Sequence, residues 1–90
     1  MREQVTAISA ALESTPGVQR VIHLRTVHLG PEELLVAGKI AVRPDEEGAD
    51  IAATIDAAEI RVRAAVAAAK VIYLEPDVYR PMEYRSTDPR

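Results

Sequence analysis

The side chains best suited to bind a metal ion are two histidines, His23 and His28, and an acidic cluster of Glu46, Glu47 and Asp50. The histidines are five positions apart on a predicted strand, and this odd spacing places them on opposite faces unless a bulge or a second copy intervenes. Carboxylates bind hard cations, but carboxylates before a helix also stabilise its positive end. We therefore interpret both groups as structural residues rather than as a metal site.

No catalytic arrangement is visible among the other reactive side chains. The chain has no cysteine, and none of its serine and threonine hydroxyls lies in a nucleophile elbow. Its four glycines are scattered along the chain, so no glycine-rich loop can cradle a phosphate. The sequence predicts no catalytic residues, and we do not expect an enzyme.

Length and composition limit the function further. Ninety residues correspond to one domain, and a net charge of −3 argues against nucleic-acid binding, which needs a positive surface. No apolar stretch approaches the roughly 18 to 20 residues that span a bilayer, and no signal peptide opens the chain, so we expect no membrane insertion by this segment. Phe and Trp are absent. The core is therefore thin, which favours association with a second copy or with a larger protein.

Apolar periodicity predicts the elements that position these side chains. The first helix carries a stripe of Val5, Ile8 and Leu12, and the second carries a stripe of mostly small residues from Ile51 to Ala69. The strands are rich in β-branched residues. The predicted elements are a helix over 2–14, strands over 18–29 and 34–43, a helix over 48–69, and a strand over 71–75 that Pro76 ends.

This order predicts an α+β fold, an α-β-β-α-β ferredoxin-like (metallochaperone-like) two-layer sandwich. The first two strands form a hairpin, and the second helix connects the second and third strands in parallel by a right-handed crossover. The sheet is therefore mixed and three-stranded, with both helices on one face. The other face has no element left to cover it, which indicates an interface. It carries Leu35, Ala37, Lys39, Val71 and Tyr73.

Several short motifs, taken in order, resemble the cytoplasmic C-terminal domain of cation diffusion facilitator transporters. Such domains show a PGV segment, an LRT-like segment, a glycine turn, a strand, a long helix and an ending with an acidic residue before proline. The corresponding segments here are 15–18 (TPGV), 21–26 (VIHLRT), 29–31 (LGP) and 72–77 (IYLEPD).

The resemblance implies a cytoplasmic dimerisation and regulatory domain of a divalent metal cation efflux transporter, with the α-β-β-α-β fold. It implies a homodimer and a transmembrane domain of the same transporter as partners, and a location on the cytoplasmic side of the cell membrane. The domain is expected to span residues 1–78, followed by an extended or disordered tail over 79–90.

The same resemblance implies that the family's interfacial metal site is degenerate in this chain. The positions at which relatives have metal ligands are occupied here by Ile22, Lys39 and Tyr73. His23 lies one residue after the position of the relatives' histidine, and only Glu75 keeps an oxygen that could bind a metal ion. His23 and Glu75 are therefore weak candidates for metal ligands. No cofactor is assigned, and a divalent cation such as Zn²⁺ is the ion to test. Glu75, like Lys39 and Tyr73, is a candidate dimer-interface residue. The alternation of the two strands places all three side chains on the uncovered face of the sheet.

Two other interpretations of the uncovered sheet face remain open. A free-standing ferredoxin-like module could bind a small molecule, with Tyr73 as part of the platform. A protein-interaction module could use the same face for an unrelated partner.

Overall fold

Two helices and three strands follow one another in the predicted order, and the α-β-β-α-β architecture is confirmed. The computed structural model describes residues 2–78, so the predicted tail over 79–90 lies outside the described residues. No helix within 2–78 has the length and apolar character needed to cross a membrane. The elements are α1 (Arg2–Glu13), β1 (Arg20–Gly30), β2 (Glu33–Val42), α2 (Gly48–Ala65) and β3 (Ala69–Val78).

The sheet has β2 at its centre, with β1 antiparallel to it on one side and β3 parallel to it on the other. A short turn at Pro31 and Glu32 joins the antiparallel pair. A parallel neighbour needs a longer crossover connection, and α2 provides it. The mixed sheet is as predicted.

Both helices cover the same face of the sheet. Ile8 and Leu12 of α1 are fully buried, as the apolar stripe predicted, and so are Ala58 and Val62 of α2. Alternate residues of the strands meet them, because successive side chains of a strand point to opposite faces. The buried sheet residues of this cluster are Leu34, Val36, Ile40, Ala69 and Ile72.

Thr54 is a buried residue that the apolar periodicity of α2 did not predict. It is only 6% exposed because the turn after α1 lies against it. Gly17 in that turn has a φ of 98°, a conformation that side chains with a Cβ rarely adopt. A Cβ on Gly17 would overlap the Thr54 hydroxyl, so this close approach requires glycine for two reasons.

The predicted end of α2 and the predicted length of the third strand are wrong. The helix ends at Ala65, Val66 has extended dihedrals, and the amide of Leu34 donates a hydrogen bond to the carbonyl of Ala68 at 2.7 Å. Pairing with β2 therefore overrides the helical propensity of the alanine-rich segment. The strand also continues through Pro76, because β3 lies at the sheet edge, where a residue without an N–H is tolerated.

A bulge near the start of β1 interrupts the regular alternation of that strand. Val21 pairs with Ile40 and His23 pairs with Lys39, so the register skips Ile22. The extra residue moves Val21 to the helix-covered side, where it packs on the core, whereas strict alternation would place it on the same side as His23.

Candidate functional site

The candidate site is the sheet face that the helices leave open, which we call the outer face. It consists of nine side chains in three rows, with one residue from each strand in every row. The register gives the rows as Val27–Leu35–Val71, Arg25–Ala37–Tyr73 and His23–Lys39–Glu75.

The exposure of these residues matches their position on an uncovered surface. Val27 and Tyr73, which are apolar or aromatic, are 51% and 65% exposed. Leu35 and Ala37 of the central strand are half-buried by their neighbours. The register continues beyond these rows to Arg20–Ala41–Asp77, where Ala41 is fully buried between two charged residues. Large apolar side chains in solvent are typical of a surface that binds a partner.

The predicted interface residues lie together on this face. All six of them (Leu35, Ala37, Lys39, Val71, Tyr73 and Glu75) fall on it, and the register also adds His23. Sequence reasoning missed two members of the face, Arg25 and Val27. It did not decide which parity of β1 faces outward, because both parities of that strand carry apolar side chains. Counting pairs outward from the short turn at Pro31 would have placed both on the wrong face, because the register shifts by one residue between His28 and Gly30.

The polar row brings together the two weak metal candidates but places a cation between them. Lys39, half-buried in the central strand, pairs with His23 on one side and with Glu75 on the other. The Nε of Arg25 also donates a long hydrogen bond of 3.4 Å to the Nε2 of His23. This bond occupies the lone pair that a metal ion would need, since Nε2 must accept from Arg25.

This donor set does not fit a divalent ion within one copy. Two positive side chains, Lys39 and Arg25, adjoin the imidazole and the carboxylate, and they repel a cation. Within residues 2–78, no three histidine or carboxylate side chains lie close enough together to hold a metal ion.

The remaining sequence candidates lie away from the outer face. His28 pairs with Leu34, which belongs to the helix-covered side, so the two histidines do lie on opposite faces. Asp50 lies in the first turn of α2, where a carboxylate stabilises the positive end of the helix. The residues before it, Glu46 and Glu47, precede that helix in the connecting loop.

An open depression of about 420 Å³ crosses the polar end of the outer face. His23, Arg25, Lys39, Tyr73 and Glu75 contribute to its lining. It combines an aromatic ring with charges of both signs, a combination suited to recognition of another polar surface.

Comparison with known proteins gives a family match over almost the whole described chain. The profile of the cytoplasmic domain of cation efflux proteins (ZT_dimer) matches residues 1–77. A search of curated proteins finds no match.

Solved structures of the MamM C-terminal domain share the fold. A variant of that domain in a nickel form superposes with a TM-score of 0.83 at 22% identity, covering 89% of this chain and 100% of that one. A copper form gives the same score and identity and covers 89% and 99%. A doubly substituted variant has 25% identity, again with a TM-score of 0.83, and covers 89% and 95%.

Proposed function

Because the chain belongs to the family of cation efflux protein cytoplasmic domains, we propose that it is a non-catalytic dimerisation and regulatory domain of a divalent metal cation efflux transporter. It pairs with a second copy through the outer face of its sheet. The transmembrane part of the same transporter is its other partner, and the domain lies on the cytoplasmic side of the cell membrane.

The observation that carries this proposal is the composition of the outer face. One row is entirely aliphatic, the middle row presents Tyr73, and the last row places Lys39 between His23 and Glu75. An apolar surface with a polar margin is typical of protein–protein interfaces, in which tyrosine is enriched. The helix-covered face of the same sheet already has its partners, so a second copy adds a layer only on the outer side.

Sedimentation velocity of the 90-residue chain over a range of micromolar concentrations tests the dimer. We expect a reversible monomer–dimer equilibrium. Tyr73→Ala should shift it toward the monomer, and Ile60→Ala should not, because Ile60 is equally exposed (67%) but lies on α2. A wild-type chain that stays monomeric throughout that range contradicts the proposal.

The proposed metal site at this interface is degenerate. Nickel and copper forms exist for the MamM domain, but in this chain Lys39 lies between the histidine and the carboxylate of the polar row. We therefore expect no tight binding of Zn²⁺ by the outer face.

Titration calorimetry with Zn²⁺ tests whether the outer face binds metal, separately from whether the chain dimerises. Stoichiometric micromolar binding that Glu75→Ala or His23→Ala abolishes would contradict it. His28→Ala is the matched control, since it removes the histidine of the opposite face. Binding that disappears only in His28→Ala would place the zinc elsewhere and leave the outer face without metal.

A second candidate function is small-molecule binding in the open depression. Its volume of about 420 Å³ falls within the ~300–1,000 Å³ typical of ligand pockets. Thermal-shift screening distinguishes the two functions. A ligand that stabilises a monomeric chain, and whose effect Tyr73→Ala removes, favours this candidate. A dimer that excludes such ligands favours the dimerisation domain.

A further inference from the structure

The two helices present different surfaces to solvent on the side away from the sheet. The exposed residues of α1 are polar, with the exception of Ala10. Those of α2 are mostly apolar, and Ile60 among them is 67% exposed. A helix that is apolar on its outward side as well as on its core side is typical of one that is covered on both sides. The exposed apolar residues of α2 are Ala49, Ala52, Ala53, Ile60, Ala64 and Ala65.

Ile60 lies at the centre of the outward surface of α2. Because each helical residue turns by about 100° and rises by about 1.5 Å, the spacing of its neighbours fixes their positions around it. Asp56 and Arg63 lie about 40° and about 60° to one side of Ile60, and Ala64 and Ala57 lie about 40° and about 60° to the other. We call these five residues the outward patch. It has a charged flank and an alanine flank.

The charged flank is only partly satisfied within one copy. Asp56 is exposed, and in the part of the chain that the structure describes its carboxylate has no hydrogen bond or ion pair. Arg63 contacts Glu59 of its own helix at 3.7 Å, and its side chain is 49% exposed. A guanidinium has five N–H donors, so Arg63 keeps donors for a second carboxylate.

The outward patch is complementary to itself in one orientation only. If α2 of a second copy packs on it in parallel, the charged flank of each copy meets the alanine flank of the other. If the two helices are antiparallel, like flanks meet. Asp56 and Arg63 lie about 6 Å and about 4.5 Å from Ile60 along the helix, on opposite sides of it, so antiparallel packing brings each Asp56 beside Arg63 of the other copy.

We propose that the outward patch of α2 packs antiparallel on the same patch of a second copy, with Ile60 on the twofold axis and Asp56 paired with Arg63 twice. Ile60 of each copy then contacts Ile60 of the other. The alanine flanks also meet, and their small side chains allow a close approach of the helices. This contact goes beyond the proposed function, because α2 lies on the opposite side of the sheet from the outer face. A copy that uses both surfaces at once connects dimers into larger assemblies.

The size of the outward patch predicts weak association. It spans about 12 Å along the helix, much less than is needed for the ~800 Å² per partner of a standard stable interface. The two charge pairs therefore determine orientation more than affinity. Such a contact becomes important when the copies are held at high local concentration, as they are when both are tethered to one membrane.

Disulfide cross-linking tests the contact, since the chain has no cysteine of its own. Packed helices are ~8–10 Å apart and their Cα atoms lie ~2.3 Å from each axis, which leaves about 3–5 Å between Cα atoms on the twofold axis. A disulfide spans ~4.4–6.8 Å between Cα atoms. Ile60→Cys should therefore form linked dimers at least about tenfold faster than Ala52→Cys, an exposed position of α2 outside the patch. Equal rates would overturn the contact and leave the exposed alanines with helix propensity as their role.

A mixture of two cysteine variants tests the orientation. Asp56→Cys and Arg63→Cys should link to each other, because the antiparallel contact brings these positions together and the mixed pair keeps one Asp56–Arg63 interaction. Asp56→Cys should not link to itself, since its two copies are about 12 Å apart along the helix axes. The reaction of each thiol with a small disulfide reagent corrects for differences in thiol reactivity. Self-linking of Asp56→Cys in preference to the mixed product overturns the antiparallel orientation.

A background substitution separates this inference from the proposed function. Ile60→Cys combined with Tyr73→Ala should cross-link as fast as Ile60→Cys alone, because Tyr73 lies on the outer face. Cross-linking that Tyr73→Ala abolishes would assign the disulfide to collisions of outer-face dimers and overturn the contact. A wild-type dimer without cross-linking at residue 60 overturns this inference alone. A chain that cross-links at residue 60 but stays monomeric in sedimentation contradicts the proposed function alone.

Discussion

The two faces of the sheet differ more than any two elements of the molecule, although they are built from the same strands. On β2, Leu34, Val36 and Ile40 are fully buried under the helices. The intervening Leu35 and Ala37 are half-buried on the outer face. A shift of register by one residue would exchange the two sets. The difference shows that alternate residues of one short strand serve two purposes. One set forms part of the core, and the other set forms part of the candidate interface.

The largest expected effect comes from truncating matched leucines on the two faces. Leu34→Ala should lower the free energy of unfolding by about 2–5 kcal/mol, because it leaves a cavity in a fully buried cluster. Leu35→Ala should cost less than about 1 kcal/mol in the single copy, because its side chain is only partly buried. Chemical denaturation at low protein concentration measures both without a contribution from the dimer.

Similar losses in the two leucine variants would contradict the division of β2 into a core face and an open face. At high protein concentration Leu35→Ala should instead weaken self-association, whereas the folded fraction of Leu34→Ala should associate normally.

The next largest effect on stability is expected from the turn after α1, which supports the helix-covered face. Gly17→Ala should destabilise the fold by about 1–3 kcal/mol, because the residue has a positive φ and a Cβ would overlap Thr54. Adding Thr54→Ala should recover only part of this loss, since the backbone strain remains. Gly48→Ala is the control, because a Cβ there meets nothing within 4 Å. Equal melting temperatures for Gly17→Ala and wild type would show that the turn is not constrained.

The sequence was sufficient for the covered face but only partly for the outer face. Ile8 and Leu12 follow helical periodicity, which depends only on local spacing. The end of α2 could not be predicted because Ala68 accepts a hydrogen bond from Leu34, a contact between residues distant in the chain. The continuation of β3 through Pro76 likewise depends on its position at the sheet edge, which only the assembled sheet defines.

On the outer face, the limit of prediction was the orientation of β1. The regular alternation of β2 and β3 placed Leu35 and Tyr73 on one surface without any structure. Both parities of β1 carry apolar side chains, and the register shifts between His28 and Gly30, so alternation did not assign Arg25 and Val27 to the face. The metal candidates required the resemblance to a family, because neither composition nor spacing distinguishes His23 from an ordinary strand residue.

The outer face should respond to truncation in association rather than in stability. Tyr73→Ala removes a side chain that is 65% exposed, so the free energy of unfolding of the single copy should change by less than about 0.5 kcal/mol. The dimer dissociation constant should rise about tenfold or more, since tyrosines are enriched among residues that dominate interface energy. Tyr73→Phe separates the ring from the hydroxyl and should keep most of the affinity. A Tyr73→Ala chain that unfolds more easily but dimerises as well as wild type would assign the ring to the core instead.

The smallest effect belongs to an ion pair that lies beyond the end of β2, outside the outer face. Both Arg43 nitrogens that contact Asp45 donate hydrogen bonds, at 2.9 and 3.2 Å, and these lower the pKa of Asp45 below its ordinary 3.8. A lowered pKa means that the pair contributes stability above the unfolded-state pKa and loses it as the pH falls through the folded value. Because both side chains are exposed, the contribution should be too small to change the melting temperature at neutral pH.

NMR titration of the Asp45 carboxylate measures this pair directly. Arg43→Ala should raise its pKa toward the ordinary value, though not fully, since the backbone of Asp45 also stabilises the charged form. Arg63→Ala, which removes the partner of Glu59 on α2, should leave it unchanged. Asp45 should titrate identically at low and high protein concentration, because its partner is in the same copy.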